Sequence, residues 1–224
     1  MNLDAAYPQL VSLAAHELRT PASVITGYLR MLERDAESPL NERQRKLVTE
    51  ATKSCARLVE IIAEMSDVSK MDTGLIRMVP APLDVFALVG EVVTAMARTD
   101  GPAAHLGLGG RNEGAATAGD GARLRVAFGT VFTAIAREKP DTRGLVVDRR
   151  IVVEDGRNTA VVAIADRAQI DEAFAAPAAP FDEHRGGLGL SLPIARRIIE
   201  AHGGRLWSPS SGRGAALVAL PLAG

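Results

Sequence analysis

Between residues 10 and 32, apolar side chains recur at Leu10, Leu13, Pro21, Val24, Tyr28 and Met31, with a second row at Leu18, Ile25, Leu29 and Leu32. Steps of three and four predict a helix with one wide apolar face. His16, Arg19, Thr20, Ser23 and Arg30 fall on the other side, which turns the imidazole of His16 outward. After a break over residues 35–39, Asn41 is suited to cap a second helix. In that helix Leu47, Ala51, Cys55, Leu58, Ile62, Met65, Val68 and Met71 keep the period as far as Gly74. A lone hairpin leaves such faces wet, so the pattern predicts a homodimer closed as a four-helix bundle.

Pro80 and Pro82 mark a linker, and the pattern changes beyond them. The chain is therefore divided into residues 1–78, a helical hairpin, and residues 79–224, a second domain. There, 83–97, 123–137 and 192–201 read as helices, the last closed by Gly203-Gly204. Strands are expected at 144–153, 159–166 and 215–222, the first two joined at Asp155-Gly156. Helices mixed with antiparallel strands give an α+β chain whose C-terminal half is a two-layer α/β sandwich.

Composition narrows the partners. The 224 residues are 47% apolar and 24% charged with a net charge of −1. There is no dense Lys/Arg run, so neither nucleic acid nor an anionic membrane surface is an expected partner. No apolar run approaches the roughly 18 residues of a spanning helix. The opening residues lack a basic and an apolar leader region, and with one cysteine, Cys55, the expected location is cytoplasmic. The four histidines, at 16, 105, 184 and 202, make no metal-ligand spacing with it.

Candidate chemistry concentrates in Ala15-His16-Glu17-Leu18-Arg19-Thr20-Pro21. One imidazole has a carboxylate beside it and a hydroxyl one turn on, at i+4. A neutral imidazole is a suitable nucleophile for a phosphoryl group near pH 7. Pro21 gives no N–H to the carbonyl of Glu17, which predicts a kink beside His16. Other signals are weaker. Gly107-Leu108-Gly109-Gly110 leads into a loop of small residues and lacks the helix that a phosphate-binding turn requires. His202 reads as a helix C-terminal residue meeting the dipole, His105 and His184 as loop residues without a paired base, and 208–211 as a turn.

The order of parts resembles the histidine protein kinases of two-component signalling over nearly the whole chain. His16-Glu17-Leu18-Arg19-Thr20-Pro21 resembles the family's phosphoacceptor box, and Ser69-Lys70-Met71-Asp72-Thr73-Gly74 the end of its second helix. Residues 120–137 are similar to the helix carrying the asparagine box. Gly186-Gly187-Leu188-Gly189-Leu190 looks like the second glycine box, followed by Ala201-His202-Gly203-Gly204. The resemblance implies a histidine-kinase-like ATPase domain after the hairpin and a response-regulator receiver domain as partner. It also implies that Glu17 orients His16 and takes its proton, and that Thr20 positions a water for dephosphorylating the partner.

The nucleotide boxes depart from that pattern. Thr130 and Ala134 stand where the family has its asparagines, and no asparagine occurs between Glu113 and Arg157. The first glycine box reads Asp166-Arg167-Ala168-Gln169-Ile170, keeping the aspartate that would meet the adenine and losing both glycines. Asp166, Gly187 and Gly189 are thus vestigial nucleotide contacts, and the family's lid is reduced to residues 181–185. The first reading is a phosphorelay protein that exchanges a phosphoryl group on His16 with a receiver aspartate without using ATP, and so with no cofactor or metal. The alternatives are an ATP- and Mg-dependent sensor histidine kinase with a divergent pocket, and a non-catalytic receiver-binding scaffold.

Overall fold

The structure is a computed structural model that describes residues 3–35, 37–75, 77–139, 141–154, 156–210 and 214–223; Asp155 and Ser211, named in the turns above, lie outside them. It divides into two compact units, Met1–Arg77 and Met78–Gly224.

The first unit is an antiparallel pair, α1 (Leu3–Arg34) and α2 (Glu42–Asp72). Asn41 starts α2 with a reciprocal box: its side chain accepts the Gln44 N–H at 2.9 Å and its own N–H donates to Gln44 Oε1 at 3.0 Å. Gly74, at φ +68°, ends it. The seam between the helices is made of small residues, with Ala15 and Ala22 buried against Ile62 and Met65. Cys55 is also buried, beside Thr26 Oγ1, and Ser69 donates to the Pro8 carbonyl at 2.6 Å. The large apolar side chains, Leu10, Leu13, Leu18, Val24, Ile25, Tyr28, Met31 and Leu32, stay exposed. The helix continues through Pro8 and Pro21 to Arg34, so proline removes a donor without ending it.

In the second unit, β1 (Ala81–Asp84) pairs with β3 (Ala116–Gly119) as a two-stranded ribbon. A six-stranded sheet runs β2 (Gly107–Leu108), β4 (Leu145–Glu154), β5 (Arg157–Asp166), β8 (Ala216–Pro221), β7 (Arg205–Pro209), β6 (Ala178–Pro180). Among the described residues of this sheet the β2–β4 pair is parallel and the other pairs are antiparallel. The helices α3 (Val85–Met96), α4 (Gly121–Arg137) and α6 (Ser191–Ala201) form the second layer, and short α5 (Ile170–Ala175) covers part of the opposite sheet face. Residues 160 to 165 of β5 are therefore buried on both faces, which is why that strand is apolar without alternation.

Three readings change. Pro82 belongs to β1, where an edge position tolerates its missing N–H. The Gly107–Gly110 run is an edge strand and its bend: Gly109 and Arg111 donate to the carbonyls of Val147 and Arg149 at 2.8 and 2.9 Å. Gly110 sits at φ +69°, where a Cβ would strike the Arg149 backbone. Ser208 lies in β7, not in a turn.

Candidate functional site

His16, Glu17 and Thr20 are all exposed on α1, while Ala15, one residue before the imidazole, is 1% exposed in the seam. The backbone is thus anchored beside an imidazole that is itself exposed. Glu17 follows His16 directly, and Thr20 lies one turn along the same face. An imidazole, a carboxylate and a hydroxyl thus lie together on the exposed side of α1.

The second unit holds the other candidates apart. Asp166 ends β5, and its Oδ1 accepts the Ala168 N–H at 3.1 Å, capping the turn Arg167–Gln169. Gly187 and Gly189 lie exposed at φ +61° and +62° just before α6. Pro193 is the third residue of that helix, within the first turn where its missing N–H costs nothing. Thr130 lines an open groove of about 300 Å³ on α4 together with Thr133, Leu188 and Ser191. Asp166 does not line it.

Ala134 is fully buried, and the backbone of Gly186 packs directly on it: a Cβ at 186 would lie 2.7 Å from the Ala134 Cα and carbonyl oxygen. Gly186 is at φ +62°, so both its conformation and its contact require glycine. The Ala134 side chain offers no metal-ligating atom, and its carbonyl oxygen is covered by the Gly186 backbone. At this position the residues do not fit a Mg–triphosphate clamp.

Sequence reasoning missed the side chains that hold this arrangement. Arg185, whose side chain is 7% exposed, forks onto Glu138 with Nε–Oε1 2.9 Å and a second nitrogen 2.5 Å from Oε2. It also donates to Ser208 Oγ at 3.1 Å and the Ala215 carbonyl at 2.9 Å. Arg137 donates to the Gly186 carbonyl at 3.2 Å, and Arg196 to the Phe181 carbonyl at 3.0 Å. In sequence, these arginines look like ordinary surface charges, and nothing in their spacing marks them.

Two histidines differ from expectation. His202 does more than meet a helix dipole: Nε2 accepts the Asp120 N–H at 2.9 Å, and Nδ1 is 2.6 Å from the Ile198 carbonyl oxygen. His184 has a carboxylate after all, with Nδ1 3.3 Å from Asp182 Oδ1. The Asp182 carboxyl is held below the ordinary aspartate range by the His184 N–H, with burial opposing and the His184 ring adding to the effect. Both side chains of that pair are exposed at the surface.

Residues 8–74 match the His Kinase A (phospho-acceptor) domain. Over 220 residues the chain is 27% identical to the circadian input-output histidine kinase CikA of Synechococcus elongatus, covering 91% of this chain and 28% of that protein. It is 29% identical over 210 residues to the sensor protein GacS of Pseudomonas syringae pv. syringae, covering 86% and 22%. The chain thus spans less than a third of either relative's length. Full-length ShkA in complex with AMPPNP shares the fold with a TM-score of 0.67 at 23% identity, over 96% of this chain and 46% of that one. Acinetobacter baumannii histidine kinase AdeS does so at 0.56 and 20%, over 93% and 98%. Residues 8–74 thus belong to the His Kinase A (phospho-acceptor) domain, and they are followed by an α/β unit that shares its fold with histidine kinases of known structure.

Proposed function

We propose that this chain carries a phosphoryl group on an imidazole nitrogen of His16 and passes it to the aspartate of a response-regulator receiver domain. The observation that supports it most is the exposed His16–Glu17–Thr20 face inside the matched phospho-acceptor segment. The imidazole nitrogen attacks phosphorus, the leaving oxygen departs with its electron pair, and Glu17 takes the ring proton. Thr20 would position the water that attacks phosphorus of the receiver's phosphoaspartate, releasing inorganic phosphate and the free carboxylate. The exposed apolar stripe of α1 supports a homodimer, which would bury it as a four-helix bundle.

The phosphoryl donor divides two readings. The relatives, which are named histidine kinases and sensor proteins, favour ATP as the donor. The second reading, charging of His16 from a receiver phosphoaspartate without ATP, is favoured by Ala134 and the Gly186 backbone packed on it. Incubation with labelled ATP and Mg²⁺, and separately with a labelled phospho-receiver, decides between them. Label on His16 from ATP establishes the kinase. Label only from the receiver establishes the relay, and label from neither, with the receiver still bound, leaves a scaffold.

A further inference from the structure

We infer that the Asp120 carboxylate bolts the interdomain linker into the second unit at Val79, with His202 positioning the carboxylate. The linker that leads from the phosphoacceptor hairpin thereby meets the second unit at a fixed point. The inference holds for either phosphoryl donor.

Pro80 has no N–H, so Val79 carries the last backbone donor before β1. Val79 is 72% exposed, which leaves packing little part in fixing it. Its N–H donates to Asp120 Oδ2 at 3.2 Å. Asp120 is itself 8% exposed and divides its two oxygens. Oδ1 accepts the Arg123 N–H at 3.1 Å and caps α4, while Oδ2 takes Val79 and lies 3.5 Å from Arg123 Nε. Beneath the side chain, the Asp120 N–H donates to His202 Nε2 at 2.9 Å. Gly119 admits that ring, since a Cβ there would lie 2.9 Å from His202 Cδ2.

Asp84 shows the same division at the start of α3. Its Oδ1 caps the helix by accepting the Phe86 and Ala87 N–H groups, and its Oδ2 accepts those of Gly114 and Ala115 at 2.6 and 3.1 Å. There the second oxygen ties down a loop within the unit. At Asp120 it ties down the linker. Towards the hairpin, the Leu75 N–H still donates to the Lys70 carbonyl at 2.8 Å. Three residues, 76–78, separate that bond from the bolt, and without the bolt the separation reaches Ala81 and becomes five. Linker length sets the range of arrangements that two joined bodies sample. A charge-assisted bond at Val79 therefore narrows that range without any contact between the bodies themselves.

The test uses the full chain. Amide exchange of Val79 is followed by NMR, and trypsin cleavage after the exposed Arg77 is timed. Asp120→Ser keeps a hydroxyl that caps α4 and is too short to hold Val79 as well. The expected result is a protected Val79 in the native protein, with exchange and cleavage both roughly tenfold faster in Asp120→Ser. Asp120→Asn, which keeps one acceptor oxygen, should move both rates in the same direction and carries the test if Asp120→Ser does not fold. His202→Ala should raise both rates by a smaller factor, because the carboxylate remains but its backbone is released. Asp84→Ser is the control: it weakens the same unit and should leave Val79 and Arg77 as they are. An unprotected Val79 in the native protein, or unchanged rates in the Asp120 variants, overturns the bolt. Equal acceleration in Asp84→Ser does so too, since it would trace the effect to general loosening, and unchanged rates in His202→Ala remove that residue from the device.

Discussion

The imidazole of His202, just past the end of α6, accepts the backbone N–H of Asp120 at 2.9 Å while its other nitrogen meets the Ile198 carbonyl. This arrangement requires the Nδ1–H tautomer and ties the start of α4 to the end of α6. His202→Ala leaves the Asp120 N–H without its acceptor. It should cost about 1–3 kcal/mol in urea unfolding; a loss within error would show that the bond contributes nothing.

His16→Ala should abolish phosphoryl acceptance and leave the helical content unchanged, because the ring is exposed and contributes nothing to the seam. Labelled transfer and circular dichroism check the two halves. Residual transfer would place the acceptor elsewhere.

Thr20→Ala removes a hydroxyl on the exposed face without touching the nucleophile. Dephosphorylation of the receiver should fall about tenfold or more, the lower part of the range for positioned proton-handling groups, with phosphorylation of His16 retained. Equal loss of both activities would contradict the assignment.

Acid should weaken the second unit through two caps. Burial raises the Asp84 carboxyl, but N–H groups of Ala87, Gly114, Ala115 and Phe86 outweigh it and hold it below the ordinary aspartate value. Asp120 behaves alike, burial being outweighed by the Arg123 and Val79 N–H groups and the charge of Arg123. A carboxyl lowered on folding stabilises the native state above its unfolded pKa. Stability should therefore begin to fall below about pH 4, followed through Trp207, the only tryptophan. Asp120→Asn should flatten that slope; an unaltered slope would exclude Asp120 as a contributor.

Long periodic elements were legible in the sequence. The capping pattern at Asn41, the paired strands β4 and β5, and the α4 and α6 helices follow from spacing and cap chemistry alone. Strands β1, β2, β3, β6 and β7 were not, because they are short, lie in a ribbon or towards a sheet edge, and are built largely from Ala, Gly, Pro and Ser, so pairing and not propensity makes them. At the site, the outward face of His16 follows from helical period. The Arg185–Glu138 pair does not, since 47 residues separate its members and only the folded chain brings them together.

The alanine-lined seam of the hairpin has a consequence for how the protein melts. Because Ala15 and Ala22 bury little surface, most of the transferable apolar area of α1 is available only to a second chain. In the proposed dimer, unfolding of residues 3–75 is then a bimolecular equilibrium whose midpoint climbs with protein concentration, whereas the sheet unit, with its own interior, unfolds at a temperature indifferent to dilution.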